Sequence, residues 1–264
     1  SLQAYDRPQR LDGLADTFKR DESLNQPRDE TWTIGQLLNW TARFFSEKKL
    51  DSPRLDAEVL LAHVLSCRRI DLYALFDAEV TSADRSRFRD LVKQRTQGKP
   101  VAYLVGKKEF YSIEFDVDPR VLIPRPETEV LVSRAIASLP KGESSHFLDV
   151  GTGSSAIAVA IALHRPQSHG VAIDIDAGAL EVAAGNVHRH QLTGRIELRQ
   201  GSILTTLTSD ERFDLIVSNP PYVRQREWEA LSPEVRDFEP KIALVAGPDG
   251  LLVLRDLIDH APEY

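Results

Sequence analysis

The chain has 264 residues, 42% of them hydrophobic, with 33 Lys+Arg against 40 Asp+Glu and a formal net charge of −7. That length holds two modest domains or one large one, and the apolar content supports a packed core and excludes a disordered chain. A protein that grips phosphates usually carries a basic surplus, because counterion release drives the contact, so the acidic balance weighs against direct nucleic-acid binding.

Residues 1–30 are polar, contain Pro8 and Pro27 and show no period, which predicts a poorly ordered tail. Residues 31–105 read as a small helical bundle. Thr33 precedes Ile34, Leu37, Leu38, Trp40 and Phe44 at the spacing of a first helix, and Asp51-Ser52-Pro53 opens a second. A third covers about Asp71 to Phe76, and Thr81-Ser82-Ala83-Asp84 opens a fourth that closes at Gly98-Lys99-Pro100. Cys67, the only cysteine, lies in this apolar helical pattern and reads as a buried structural thiol. Residues 106–142 read as a β-hairpin followed by a proline-rich linker. The period changes to two between Tyr103 and Val121, with Glu109 to Val117 as a strand pair, and Pro124 and Pro126 fix an extended path before a helix from about Thr128 to Ser138.

Residues 143–264 switch to strand–helix alternation. His146–Val150, Gly170–Asp174, Arg195–Arg199 and Phe213–Val217 are the predicted strands. Alternation of this kind means a doubly wound, mostly parallel sheet, which binds ligands beyond the carboxyl ends of its strands. The longest strongly apolar run, Ala156–Leu163, is far short of the roughly 20 residues a membrane span needs. No leader pattern opens the chain, so the expectation is a cytoplasmic protein without membrane contact. His188 and His190 read as a solvated helix end, and no metal site is expected.

Two loops at strand ends carry chemistry. Asp149-Val150-Gly151-Thr152-Gly153-Ser154-Ser155-Ala156 joins the first strand to its helix, where glycines admit a ligand close to the backbone and helix-start N–H groups would face it. Asp174 ends the next strand, placed to accept two ribose hydroxyls. Gly151-x-Gly153-x-x-Ala156 also fits the dinucleotide fingerprint, so an NAD-dependent oxidoreductase is one reading of this loop. Asp149 favours S-adenosylmethionine, whose ammonium a carboxylate can receive; it would repel a pyrophosphate.

Asn219-Pro220-Pro221-Tyr222 ends the fourth predicted strand. Two prolines stiffen the backbone, the Asn219 side-chain oxygen and the Pro220 carbonyl can each accept one N–H of an NH2 group, and Tyr222 offers an aromatic face. That set suits N-methylation of a flat amide or of an exocyclic base amine. Asn219, Pro220 and Tyr222 are the catalytic candidates, and all four residues are candidates for substrate binding.

With Leu122-Ile123-Pro124-Arg125-Pro126-Glu127-Thr128-Glu129, Leu55-Asp56-Ala57-Glu58-Val59-Leu60-Leu61, Glu109-Phe110-Tyr111 and Phe238-Glu239-Pro240, these loops resemble the protein-(glutamine-N5) methyltransferases that modify peptide-chain release factors. The resemblance runs from about Thr31 to the end. It implies a Rossmann-like class I methyltransferase domain preceded by a helical domain that helps bind the release factor. It implies methylation of the glutamine in that factor's Gly-Gly-Gln loop, most simply by a monomer. By the same resemblance S-adenosylmethionine lies against Gly151, Thr152, Gly153, Ser154, Ser155, Asp174 and Asn219, with Ser202 and Ile203 near its adenine. Ser155 stands where the family usually has a second loop glycine. Gly201-Ser202-Ile203 stands where an acidic residue and an aromatic often meet the adenine. The closing strands of the sheet are expected beyond Tyr264.

Overall fold

A computed structural model describes residues 31–202 and 206–264. The expected tail and Ile203 lie outside the described residues. β1 (Trp32–Thr33) leads into α1 (Ile34–Glu47) through a capping box: Thr33 Oγ1 accepts the Gln36 N–H and Gln36 Oε1 accepts the Thr33 N–H at 2.8 Å. α2 (Pro53–Leu65) starts on proline, where a missing N–H costs nothing, and is followed by α3 (Arg69–Ala74). β2 (Glu79–Val80) pairs antiparallel with β1, and Thr81 caps α4 (Ser82–Thr96). Leu38, Phe45, Leu60, Leu61, Leu72 and Phe88 form the buried core of this helical unit. Cys67 is half-buried against that core instead of enclosed in it.

The sequence expectation is revised at α5 (Val101–Val105), a single helical turn and a half in which Tyr103 and Leu104 are buried. Pro100 starts it, and five apolar residues in a row do not distinguish a buried helix from a strand. The hairpin follows as β3 (Lys107–Phe110) and β4 (Ile113–Asp116), joined by Tyr111 and Ser112, both at positive φ. A 3-10 turn over Pro126–Thr128 runs directly into α6 (Glu129–Ser138).

The second half is an α/β sandwich. β5 (Ser145–Val150), β6 (Ser168–Asp174), β7 (Ile196–Gln200) and β8 (Leu215–Ser218) make a parallel sheet in the order β7-β6-β5-β8. α7 (Ala156–His164), apolar on every side and buried from Ala156 to Ala162, and α8 (Ala177–Arg189) are the crossovers. α9 (Pro233–Phe238) follows β8, and α10 (Leu252–His260) brings Leu257 against Leu148, Val150 and Ile173 on the sheet. Strand order reverses direction at β5, with β6 on one side and β8 on the other, and that switch point opens a crevice at the carboxyl edge.

The two halves are joined by a buried cation. Arg95 of α4 reaches Asp56 of α2 at 2.8 Å, the Lys99 carbonyl at 3.2 Å and Glu234 of α9 at 2.9 Å. Glu234 lies shortly after the Asn-Pro-Pro-Tyr turn, so the helical unit is anchored to the segment that carries the candidate site.

Candidate active site

β5 and β8 are neighbours in register, with Val150 opposite Ser218, so Gly151 and Asn219 leave the sheet side by side. The Ser218 hydroxyl donates to the Val150 carbonyl at 2.7 Å and ties the two exits together. Both loops open on one cavity of about 660 Å³, a size that suits a nucleoside-sized ligand. Gly151, Thr152, Gly153, Ser154, Asp174, Ser202, Asn219, Pro220 and Pro221 line it.

The glycine loop differs in one respect from a phosphate cradle. Its N–H groups are mostly engaged inside the protein: those of Gly151 and Thr152 donate to the Ile173 carbonyl, that of Ser155 to the Thr152 carbonyl, and that of Gly153 to Asp174 Oδ2 at 2.8 Å. A dinucleotide pyrophosphate needs free donors there and would meet a carboxylate instead. Gly151 (φ +72°) and Gly153 (φ +55°) leave open space where a Cβ would stand, so the loop admits the edge of a ligand without offering an anion site. The Asp174 carboxylate, raised from its ordinary range by burial, also accepts the Asp176 N–H at 3.0 Å and keeps lone pairs for hydroxyl groups. Open glycines, a carboxylate at the end of β6 and no phosphate nest together fit S-adenosylmethionine.

Two of the candidate cofactor residues, Asp149 and Ser155, lie off the cavity wall. Asp149 is fully buried beneath the loop, absent from the cavity wall, and accepts the Thr152 hydroxyl at 2.7 Å, with the Ala158 N–H also turned towards its carboxylate. Burial pushes its carboxyl up to about 7. Ser155 is likewise fully buried, at φ +63°, with an unpartnered hydroxyl. The reason is common to both. The residue before the glycine bend still belongs to the buried strand, and the last loop residue already turns inward to start α7.

Beside this cavity lies a smaller one of about 260 Å³, lined by Leu122, Arg125, Glu127, Thr128, Leu131, Asn219, Pro220, Tyr222, Ala243 and Leu244. Asn219 and Pro220 belong to both walls; Pro221 faces only the larger cavity, and Tyr222, 67% exposed, only the smaller. The stretch from 122 to 128 contributes Leu122, Arg125 and Thr128 to the walls of both spaces. Its anchor is Glu239, a buried carboxylate that accepts the Arg125 guanidinium at 2.6 Å and the Ile123 N–H at 3.3 Å. Burial raises its pKa while Arg125 opposes the shift. Arg125 therefore makes an ion pair and lines the site as well.

Behind the turn, Val223 and Gln225 donate to the carbonyls of Leu244 and Gly247, and Val223 accepts from Ala246. These contacts bring Ile242, Ala243 and Val245 to the larger cavity, residues the sequence reading left out. Their only sequence signal was proximity to the Phe238-Glu239-Pro240 motif. Among the described residues no cluster of three potential metal ligands occurs, and no helix is long and apolar enough to cross a membrane.

Comparison with known proteins agrees with this geometry. Residues 36–106 match the PrmC N-terminal domain, and residues 127–233 match the Methyltransferase small domain. The chain is 48% identical over 238 residues to a release factor glutamine methyltransferase of Rhodopirellula baltica, covering 88% of this chain and 80% of that protein. It is 42% identical over 244 residues to one of Chlorobaculum tepidum (89% and 83% covered) and 41% identical over 237 residues to one of Geobacter sulfurreducens (90% and 82% covered). With that identity spread over both halves, the chain belongs to the release factor glutamine methyltransferase family and is an S-adenosylmethionine-dependent methyltransferase.

Proposed function

We propose that this chain methylates the side-chain amide nitrogen of the glutamine in the Gly-Gly-Gln motif of a peptide-chain release factor, acting in the cytoplasm as a monomer on a protein substrate. The observation that carries this reading is the shared wall: Asn219 and Pro220 face both a nucleoside-sized cavity and a smaller one. Gly151 to Ser154, Asp174 and Ser202 would hold S-adenosylmethionine in the larger space. Bound there, it supplies a methyl carbon made electrophilic by the sulfonium.

The protein's own task is to present a poor nucleophile. An amide nitrogen gives its lone pair to the carbonyl and must be aimed. Asn219 Oδ1 and the Pro220 carbonyl each accept one N–H, which fixes the nitrogen at the boundary between the cavities. The same acceptors stabilise positive charge as it grows on that nitrogen. A nitrogen bearing such charge loses a proton readily to water, so the chemistry needs no strong base. Tyr222 and the apolar Leu122, Leu131 and Leu244 offer the smaller cavity's surface to the methylene chain of the glutamine. The helical unit, held to α9 through Arg95, extends the surface available to the protein substrate.

The test is mass spectrometry of a release factor incubated with the enzyme and isotopically labelled cofactor, with DNA and RNA oligonucleotides as parallel substrates. One labelled methyl on the Gly-Gly-Gln glutamine is expected, and label on the oligonucleotides alone would overturn the proposal. Asn219→Ala is expected to lower kcat by about 10²–10³ with little change in cofactor affinity. An unchanged rate removes Asn219 from the mechanism.

A further inference from the structure

S-adenosylmethionine carries a carboxylate on its amino-acid end, separated from the sulfonium by a short carbon chain. A methyl delivered at Asn219 therefore brings that carboxylate near the same wall, and a carboxylate taken out of water needs donors. The glycine loop does not supply them: the N–H groups of Gly151, Thr152, Gly153 and Ser155 are spent on the protein's own acceptors. The other source is a cationic side chain. Among the described residues, Arg120, Arg125 and Arg255 are the cations that line the larger cavity.

The three differ in what they have left to give. Every guanidinium nitrogen of Arg120 is engaged, two by Asp118 and one by Glu181. Arg255 pairs with Asp249, and its side chain is 62% exposed, where water screens a further charge contact. Arg125 gives only Nη2 to Glu239, and no hydrogen bond among the described residues uses its Nε or Nη1. It is also the one of the three that lines the smaller cavity, as Asn219 does.

The placement of Arg125 is fixed by its neighbours and by one buried partner. It stands between Pro124 and Pro126, and a residue before proline is confined to extended backbone, here φ −96° and ψ 139°. Glu239, with a side chain 1% exposed, holds both the guanidinium and the Ile123 N–H. A third of the arginine side chain stays uncovered. The sealed carboxylate thus sets the direction of a planar cation that keeps two nitrogens for an anion.

We propose that Arg125 receives the carboxylate of the cofactor's amino-acid end, and that Glu239 is a positioning residue that holds the guanidinium for it. This rests on S-adenosylmethionine lying in the larger cavity, as read above.

The ligand pair that isolates the contact is S-adenosylhomocysteine and its decarboxylated analogue, which keeps the nucleoside, the sulfur and the ammonium. In isothermal titration of the wild type the analogue is expected to bind about 10- to 30-fold more weakly, the low end for a charge-assisted bond because the arginine is partly exposed. In Arg125→Gln, S-adenosylhomocysteine weakens by that same factor and the analogue by less than about two-fold. Arg125→Gln combined with Glu239→Gln leaves no lone buried carboxylate and is expected to give the same pattern, with unfolding midpoints recorded for all variants.

Equal binding of the two ligands by the wild type overturns the proposal without any variant. So does an Arg125→Gln protein that loses both ligands by one factor. An Arg125→Gln protein that keeps both affinities and raises KM for the release factor gives the guanidinium to the protein substrate instead, and also overturns it. Asp174→Ala separates this from the placement of the cofactor. If Asp174→Ala and Arg125→Gln both leave S-adenosylhomocysteine binding unchanged, the placement in the larger cavity fails. If Asp174→Ala weakens binding and Arg125→Gln does not, only the role of Arg125 falls.

Discussion

Asp149→Asn tests how the fold treats a carboxylate sealed under the glycine loop. The wild-type side chain has no exposure and accepts one hydroxyl at 2.7 Å, and burial, against that bond and the Ala158 N–H, raises its pKa from the ordinary 3.8 to about 7. Because the folded-state pKa is the higher one, the native protein holds a proton between about pH 4 and 7 that the unfolded chain has released. Stability from this group is therefore greatest at low pH and is lost as pH rises through that window. At about 1.4 kcal/mol per unit, the whole shift is at most roughly 4 kcal/mol. About 3 kcal/mol of it falls above pH 5. Asparagine keeps the acceptor for Thr152 and does not titrate. Urea unfolding curves of both proteins between pH 5 and 8 give a difference in which the titrating groups not coupled to Asp149 cancel, Asp174 being the coupled neighbour. The variant is expected to gain roughly 3 kcal/mol on the wild type across that range. Parallel curves would show that Asp149 keeps an ordinary pKa and would refute the reasoning.

Three further outcomes follow from named contacts. Ser155→Gly relieves a left-handed backbone at φ +63° and removes a buried hydroxyl without a partner, and is expected to stabilise by about 1 kcal/mol and raise Tm by roughly 2–4 °C; a lower Tm in a thermal scan would contradict it. Gly250→Ala would set a Cβ 2.4 Å from the Tyr222 carbonyl oxygen at φ +76°, forcing the Asn-Pro-Pro-Tyr turn to shift. We expect kcat to fall by about 10²-fold, with the cofactor affinity less affected, in the labelled methylation assay. Arg95→Ala leaves the buried Asp56 without its cation, and denaturant unfolding should show a loss of about 3–5 kcal/mol; a loss under 1 kcal/mol would mean that the pair contributes little to joining the halves.

Legibility in the sequence followed the range of the interactions. Pro53 and Thr81 announced helices through contacts within one turn, and the structure has them there. The two informative loops were readable because a parallel sheet places strand ends together, whatever fills its core. The role of residues 122–128 was not readable as geometry: Thr128 meets Asn219 and Arg125 meets Glu239 across most of the catalytic half. Asp149 was read onto the cofactor because its charge suited the ligand, and nothing local says that its side chain turns beneath the loop.

Composition, period and motif thus determined the first four helices, the hairpin and the parallel sheet, though not α5, and pointed to two loops at the sheet's carboxyl edge. Those depend on backbone preferences and alternating polarity, which act between near neighbours. Tertiary structure alone decided which carboxylate is sealed and which faces the cavity. It also decided that the N–H groups of Gly151, Thr152, Gly153 and Ser155 are consumed internally, and that Asn219 and Pro220 line two cavities. Each of these depends on packing between segments far apart in the chain, where burial and the satisfaction of polar groups select one arrangement among many that the same local pattern would allow.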